Sequence, residues 1–220
     1  MRVVAVRVAL CSVAACLALP ASAAERVAGP LRERGADDQT FVGYLPQRSL
    51  PVQPFDRWAG VQVRRLSEDR PSGRLAVHAS FPPGWRLSSP AVAAQSLEIV
   101  VLEGALEFGA EALGRYDFAF VPPASQSPAL ASATGAQALV FFDPPSPDAA
   151  AVARQRERGA YVTRYDHTRW RPATLAKDAG ATADLRVMHL KKDPFTTART
   201  WYVRLGPGMV LPWEVHSMVE

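Results

Sequence analysis

The 220-residue sequence has little cysteine and little lysine. Its two cysteines, Cys11 and Cys16, both lie near the amino terminus, so the rest of the chain has no disulfide, no thiolate metal site and no cysteine nucleophile. Of the 25 basic residues only Lys177, Lys191 and Lys192 are lysines, and the arginines are scattered. The sequence contains no basic stripe with interleaved aromatic residues, so nucleic acid is not an expected partner.

The chain also lacks an apolar run long enough to span a bilayer. Residues 8–19 are apolar, but a membrane-spanning helix needs about 20 such residues. Arg2 and Arg7 precede this run, and the small residues 21–23 (Ala-Ser-Ala) follow it. This order predicts a signal peptide over residues 1–23 and an exported protein, periplasmic or secreted. Cleavage would lower the formal net charge from +4 to about +2.

A second interpretation of the same segment stays open. Residues 13–16 (Val-Ala-Ala-Cys) resemble a lipoprotein box, which would leave Cys16 lipidated at a new amino terminus. The apolar run continues past Cys16 to Leu19, and a better cleavage site follows near Ala23 or Ala24. We therefore expect cleavage near Ala23 rather than lipidation.

The sequence is 48% hydrophobic and contains 19 prolines and 14 glycines. An apolar fraction of this size excludes a disordered chain and is sufficient for a packed core. Prolines spread along the chain argue against long helices and favour short strands joined by turns. The composition therefore predicts an all-β protein.

An internal repeat runs through the chain. Residues 61–84 align without a gap with residues 185–208 at an offset of 124, which places Leu66 over Leu190. Each copy has an alternating strand, a turn and a second alternating strand that ends at Pro-Gly, the pattern of a β-hairpin. Few aligned residues are identical, so chance similarity is the alternative to duplication. The ungapped length favours duplication.

The first copy continues as a series of short strands. Because glycine and proline bound them, they are typical of a small antiparallel barrel or jelly roll. These strands are predicted at 97–102, 105–108, 116–121 and 137–142. Residues 148–158 are rich in Ala, Arg, Glu and Gln and end at Gly159, which predicts a helix between the two copies.

These patterns predict five segments. They are a signal peptide (1–23), an amino-terminal arm (24–60), a first barrel (61–146), a linker with a short helix (147–184) and the start of a second barrel (185–220). The second copy stops at Glu220, which aligns with Ser96, before the strands that complete the first barrel. We expect a fragment of a longer two-barrel protein. The alternative is that the second hairpin extends the first barrel.

The strands of the first copy resemble those of the cupin superfamily. Residues 97–104 (Leu-Glu-Ile-Val-Val-Leu-Glu-Gly) are similar to the cupin strand motif E-x-Y-V-L-E-G. Residues 116–123 are similar to the second cupin motif, a strand ending in Pro-x-Gly, although Ala124 stands where the glycine is expected. The resemblance covers residues 61–220 and implies an RmlC-like β-barrel. It leaves the reaction open because cupins host many chemistries.

Cupin enzymes usually hold a divalent metal through two close histidines, an acidic residue and a distant histidine. The first copy lacks these ligands. Residues 90–97 contain no histidine and no carboxylate, and Ser127 stands near the distant position. We therefore expect that the first barrel holds no metal, and that it is structural or binds an apolar ligand.

The second copy keeps part of the ligand pattern. Glu214 replaces the first histidine, His216 stands at the second, and Glu220 stands at the acidic position. The resemblance implies that Glu214, His216 and Glu220 hold Mn, Fe, Zn or Ni if the second barrel is complete. The Glu-x-His opening is similar to that of ureidoglycine aminohydrolases, and the segment is at least as similar to uncharacterised ChrR-like double cupins.

Other polar and aromatic residues are expected to be structural. The histidines at 78, 167 and 189 are predicted to be surface or hydrogen-bonded residues. Glu98, Glu103 and Glu107 alternate with apolar residues, which predicts the exposed face of a hairpin. The tryptophans at 58, 85 and 170 are predicted to pack in a core or an interface.

Two functional hypotheses follow. The first is an exported double cupin whose second barrel binds one divalent metal and converts a small polar organic molecule, with catalytic residues unassigned. The second is a non-enzymatic cupin that binds or senses a small molecule. In both, the expected partner is a small-molecule ligand or substrate, with no nucleic acid and no membrane span. A homodimer is expected by analogy with cupins.

Overall fold

The computed structural model describes residues 47–87, 92–172, 185–196, 198–204 and 206, together with the backbone of residues 4–9, 32–34 and 39–41. The chain divides into two compact units. The larger unit is Cys16–Arg164, and the smaller unit joins Met1–Ala15 to Tyr165–Glu220. The boundary between Arg164 and Tyr165 falls inside the segment predicted to be the linker.

Short strands dominate both units. In chain order they are β1 (Val4–Ala9), β2 (Arg32–Arg34), β3 (Gln39–Phe41), β4 (Gln53–Pro54), β5 (Gln62–Asp69), β6 (Arg74–Phe81), β7 (Trp85–Arg86), β8 (Ser96–Gly104), β9 (Leu106–Phe108), β10 (Glu111–Leu113), β11 (Phe118–Val121), β12 (Leu130–Ser132), β13 (Ala136–Asp143), β14 (Tyr161–Thr163), β15 (Arg171–Pro172), β16 (Arg186–Lys192) and β17 (Ala198–Arg204). The α-helix α1 is Ala149–Arg158, and 3-10 turns lie at Gln47–Ser49 and His167–Arg169. No helix within these described ranges is long and apolar enough to cross a membrane.

The larger unit contains two antiparallel sheets of a jelly roll. One sheet has seven strands in the order β14-β11-β8-β13-β6-β5-β4, and the other has four in the order β10-β9-β12-β7. Strands β2 and β3 form a separate pair. Neighbours in the sheets are distant in sequence, as in β13, which pairs with both β6 and β8. The predicted all-β jelly-roll fold is therefore confirmed.

The inner faces of the two sheets form one hydrophobic core. Strand β13 alternates buried and half-buried residues without a break, because successive side chains of a strand point to opposite faces. The core contains Phe55, Trp58, Val61, Val63, Leu75, Val77, Ala79, Phe81, Trp85, Leu97, Ile99, Val101, Leu106, Phe108, Leu113, Ala119, Val121, Leu130, Ala136, Ala138, Val140 and Phe142. The interior of the first barrel is thus lined by apolar side chains.

The helix α1 begins and ends where the sequence predicts. Its N-cap is Asp148, whose carboxylate accepts hydrogen bonds from the backbone N–H groups of Ala150 and Ala151. Such a cap satisfies donors that have no partner within the helix. The helix ends at Gly159, which has a φ of 74° and therefore favours glycine. The predicted helix is confirmed.

The smaller unit repeats the first hairpin of the larger unit. All six cross-strand pairs between β16 and β17 correspond to β5–β6 pairs shifted by 124 residues. The bulge between His189 and Lys191 falls on the bulge between Arg65 and Ser67. Strand β15 also pairs with the first two residues of β16 as β4 pairs with those of β5. The two hairpins therefore share one backbone design, which favours duplication over chance similarity.

Strand β1 pairs with β17 along the edge of β17 that does not face β16. It pairs with β17 through six antiparallel pairs that begin at Val4↔Val203. At an offset of 124 this is the edge of β6 that β13 occupies in the larger unit. Residues 4–9 belong to the predicted signal peptide, and that prediction stays untested by this pairing.

We predict that Gly104→Ala is strongly destabilising. Gly104 ends β8 with a φ of 72°, and a Cβ there would collide with the Gly135 carbonyl oxygen and lie 2.9 Å from the Cα of Ala136. The left-handed backbone alone costs a non-glycine residue about 1–2 kcal/mol, and the backbone clash raises the expected loss above about 3 kcal/mol. The loss would be measured by urea unfolding.

The control for this prediction is Gly84→Ala. Gly84 has a φ of 76°, and a Cβ built there meets nothing within 4 Å. Gly84→Ala should therefore lower the free energy of unfolding by only the cost of the left-handed backbone, about 1–2 kcal/mol. Equal losses in the two variants would contradict the close approach of β8 to the turn before β13.

Candidate functional site

The positions of the cupin ligands in the first copy carry no metal-binding side chain. Val92 is 67% exposed and forms an isolated bridge with Gln126. Ser96 donates a hydrogen bond of 3.5 Å to the Asp143 carbonyl. Ser127, near the distant histidine position, donates a hydrogen bond of 3.3 Å to the carbonyl of the next residue. Within the described ranges no three His, Cys, Asp or Glu side chains are close enough to hold a metal ion.

The barrel interior is filled by an aromatic cluster centred on Trp58. The Trp58 ring lies 5.4 Å from Phe55, 5.7 Å from both Phe81 and Phe142, and 6.0 Å from Trp85, measured between ring centroids. The tilted and edge-on geometries are those that aromatic pairs prefer. Trp58 is 6% exposed, so its indole is a core side chain. The predicted core packing of Trp58 and Trp85 is confirmed.

Phe55 and Trp58 enter this core from a tight turn before the first barrel strand. We call residues 55–61 the arm turn. Its backbone closes through hydrogen bonds from the Phe55 N–H to the Val61 carbonyl and from the Val61 N–H to the Trp58 carbonyl, at 2.9 and 3.1 Å. The Trp85 indole N–H also donates to the Ala59 carbonyl at 2.9 Å. The arm turn is therefore fixed to the barrel by its backbone and by its rings.

Arg57 fastens the arm turn beside the positions where cupin ligands are expected. Its guanidinium lies 4.3 Å from the centroid of the Phe142 ring and donates to the Gln95 side chain at 2.7 Å. Gln95 in turn donates to the Gly73 carbonyl at 2.8 Å. Gln95 lies within residues 90–97, the segment of the first copy in which the cupin resemblance places the ligand positions. The first copy therefore uses this segment to hold the arm turn.

The turn after β11 has a left-handed residue, Ala124, at the position where the cupin motif has a glycine. Ala124 has a φ of 56°, a left-handed conformation that glycine adopts without penalty. Its N–H donates to the Ala93 carbonyl at 2.6 Å, and the Ala93 N–H donates to Ser125 at 2.9 Å. These two bonds fix the turn against the loop before β8. Alanine here carries a backbone cost of about 1 kcal/mol.

A polar groove lies beside this turn. It has a volume of about 610 Å³ and is lined by Ser125 and Gln126 from the turn and by Arg156 and Glu157 from α1. Because it is open and has no histidine in its lining, it does not supply the ligands that the first copy lacks. It is a surface feature of the larger unit.

One prediction is wrong on the face of the seven-stranded sheet that points away from the hydrophobic core. Glu98 was expected on an exposed hairpin face but is fully buried, whereas Glu103 is exposed and Glu107 is half-buried. The cross-strand neighbours of Glu98 are Phe120 and Phe141. Around Glu98 both faces of the sheet are shielded from solvent. The alternation of polar and apolar residues therefore did not identify a solvent-exposed face.

His78 is the buried histidine of this face. It is 6% exposed, and it is hydrogen-bonded to Gln137 on the neighbouring strand. Burial lowers the pKa of His78, and the positive charge of Arg64 lowers it further, while Gln137 and Glu103 act in the opposite direction. Its Nδ1 atom is buried without a hydrogen-bond partner. The sequence predicted a surface or hydrogen-bonded residue, and of these two alternatives the structure has the hydrogen-bonded one, at a buried position.

The residues predicted to hold a metal lie outside the described ranges. Glu214, His216 and Glu220 all follow residue 206, where the description of the second copy stops. Their predicted role therefore stays a prediction. Of the other histidines, His167 and His189 are exposed, as expected.

No protein-family model and no curated protein matches this sequence. Three solved structures that are similar to this chain come from proteins with different names. An RmlC-like cupin from Shewanella frigidimarina NCIMB 400 is 19% identical with a TM-score of 0.39, over 48% of this chain and 93% of that one. An acetylacetone dioxygenase from Acinetobacter johnsonii is 12% identical with a TM-score of 0.41, over 51% and 80%. The polyketide cyclase RemF from Streptomyces resistomycificus is 18% identical with a TM-score of 0.39, over 49% and 82%.

At these identities the likeness concerns the fold alone. The two antiparallel sheets form a jelly roll, which is the fold class that the sequence predicted. The reactions of the similar proteins stay properties of those proteins.

We predict that Trp58→Ala removes the centre of the core. Replacing a buried tryptophan by alanine costs about 3–5 kcal/mol, and urea unfolding should show a loss in this range. Added indole should restore part of it by filling the cavity. Val52→Ala, a change at a 53% exposed side chain of the same arm, is the control and should leave stability within about 0.5 kcal/mol. A loss below about 1 kcal/mol in the Trp58 variant would contradict the core position of the arm turn.

We predict that His78 makes stability depend on pH between neutral and mildly acidic conditions. The pKa of His78 is lowered by folding from about 6.5, so the unfolded chain binds more protons as the pH falls below that value. The native state should therefore lose stability below about pH 6.5, and His78→Leu should lose less over the same range. Urea midpoints at pH 7.5 and 5.5 would measure the difference. Identical pH dependence in wild type and variant would contradict the buried, neutral state of His78.

Proposed function

We propose that this protein is an exported double cupin that uses a divalent metal in its second copy to convert a small polar organic molecule. The cupin fold of the first copy fits such a role but carries no ligands of its own in the described ranges. A division of labour follows. The first copy supplies a stable barrel, and the second copy supplies the chemistry.

The observation that supports this proposal is the shared register of the two hairpins. Because β16 and β17 reproduce the pairing and the bulge of β5 and β6, the repeat extends to the backbone. The ligand positions 214, 216 and 220 are assigned through the same offset. The alignment that places them therefore has structural support up to Arg204.

The donor set of the second copy fits a divalent metal. Two carboxylates and one imidazole are suitable ligands for Mn, Fe, Zn or Ni. Glu214 and His216 would hold the metal from one strand face, and Glu220 would complete the set from the following residues. When bound, the metal would supply Lewis-acid or redox chemistry. One of the glutamates would also serve as a general base.

The alternative proposal is a non-enzymatic cupin that binds or senses a small molecule. The aromatic side chains that fill the first barrel support this alternative, because the first copy has no metal ligands at the positions that the cupin resemblance assigns to them. Export, the double-cupin organisation and the likeness to ureidoglycine aminohydrolases are proposals in either case.

We predict that His216→Ala lowers the metal content of the protein expressed from its full coding sequence. The wild type should bind about one divalent ion per chain, and loss of one ligand should lower the affinity about tenfold or more. Elemental analysis after dialysis against a weak chelator would measure this. His167→Ala, which removes an exposed histidine, is the matched control and should keep the metal. Equal metal in wild type and His216→Ala would overturn the assigned ligands. Substoichiometric metal in the wild type, with ligand binding unchanged in His216→Ala, would favour the binder.

A further inference from the structure

The second hairpin carries a basic face that the first hairpin lacks. We define this basic face as His189, Lys192, Arg199 and Trp201, with Arg169 beside it. His189 pairs with Trp201, and Lys192 pairs with Arg199. Paired residues are neighbours on the same side of a sheet, and residues 199 and 201 share a side because they are two apart. The four cationic or titratable residues are exposed, and Trp201 is half-buried.

The shared register identifies what this face corresponds to in the first copy. At the offset of 124, Arg199 falls on Leu75 and Trp201 on Val77. Leu75 is 6% exposed and Val77 is fully buried, and both belong to the core of the first barrel. In the first copy Arg65 and Glu68 stand opposite these two core residues and form an ion pair of 2.9 Å with each other. The second strand of the hairpin is therefore apolar on this side in the first copy, whereas in the second copy both strands carry basic residues and no carboxylate there. Because an arginine stands where the first copy has a core leucine, we expect this side of the second hairpin to contact a polar or charged molecule rather than apolar side chains.

The positive charges on this face add to one electrostatic potential. The pKa of His189 is lowered by partial burial and then by the positive charges of Arg199, Lys192 and Arg169. The Arg169 guanidinium also donates to the His189 backbone carbonyl at 3.2 Å, which ties it to the hairpin. The carboxylate of Asp166, on the same segment as Arg169, accepts the N–H and the hydroxyl of Thr168 at 2.8 Å. The field at the face is therefore positive, and it favours an anion.

The face also offers an aromatic surface. The rings of His189 and Trp201 meet edge to face at 5.7 Å between centroids. Val187 and Val203, which pair on the same side of the hairpin, are half-buried and extend this surface. A ligand with a planar apolar part and a carboxylate would stack on Trp201 and place its charge near Arg199.

We propose that the basic face is the binding surface for a small organic carboxylate with an aromatic or other planar apolar part. This names the substrate class of the second copy and rests on the proposed function, since the face corresponds to a barrel interior. Arg199 is the principal anion-binding residue because it replaces an inward-facing leucine. Lys192 and His189 add positive potential, and Trp201 provides the stacking surface.

The experiment is a titration of the full chain with 4-fluorobenzoate, followed by ¹⁹F NMR, in the presence of a metal chelator. The neutral isostere 4-fluorobenzamide is titrated in parallel. We expect the carboxylate to bind and the amide to bind about tenfold more weakly, since a charge-assisted hydrogen bond is lost. Arg199→Leu, which installs the residue of the first copy, should weaken 4-fluorobenzoate binding by about tenfold.

Two further variants keep the test decisive. Lys192→Glu, which takes the first-copy residue Glu68, should also weaken binding of the carboxylate. Arg204→Gln removes a charge from the opposite side of the same strand and should leave the Kd unchanged. Near-ultraviolet circular dichroism would establish that each variant is folded.

The outcomes separate this inference from the metal proposal. Equal binding of the carboxylate and the amide, or an unchanged Kd in Arg199→Leu, would overturn the basic face as a carboxylate site. Binding of a single-stranded oligonucleotide that depends on Arg199, without binding of 4-fluorobenzoate, would also overturn it. Carboxylate binding that persists in both chelator and His216→Ala supports the inference even if metal analysis rejects the assigned ligands.

Discussion

The packing of Trp58 inside the first barrel is the interaction on which the larger unit depends. Four aromatic rings surround its indole, and these rings come from the arm turn, β6, β7 and β13. A barrel interior needs side chains that fill it, and burying apolar surface of this size is the dominant stabilising term in a fold. Because the arm turn supplies two of the five rings, the barrel and the segment before it form one core. The aromatic side chains in the interior of the first barrel therefore contribute to its stability.

The two hairpins share one backbone pattern but differ in the side chains that they carry. The hairpins β5–β6 and β16–β17 keep the same pairs and the same bulge, so the hydrogen-bonding pattern is constrained. The equivalent sides differ in chemistry, because Leu75 and Val77 are buried in the first hairpin, whereas Arg199 is exposed and Trp201 is half-buried in the second. The same hydrogen-bonding pattern therefore accommodates different side-chain chemistry, as expected when a fold supports a site without determining its reaction.

Much of the fold was predictable from the sequence because local signals agreed with the tertiary structure. The helix α1 has a capping aspartate and a terminal glycine, and the burial of side chains along β6 alternates except at His78. The burial of Glu98 was not predictable from alternation, since a polar residue next to apolar ones usually marks a solvent face. The packing of Trp58 could be anticipated as core packing, but its position at the centre of the barrel required the turn geometry of residues 55–61. The metal ligands Glu214, His216 and Glu220 stay predictions of the resemblance.

Native-state hydrogen exchange tests the central claim most directly, namely that the arm turn and the first barrel share one core. The amide of Val61, which is bonded to the Trp58 carbonyl, should exchange with the amides of Ile99 and Val140 through the same global opening, within about tenfold in rate. Exchange of the arm turn that is faster by on the order of a thousandfold, while the strands stay protected, would contradict the account. It would mean that the barrel is stable without Trp58 and that its interior is open to a ligand.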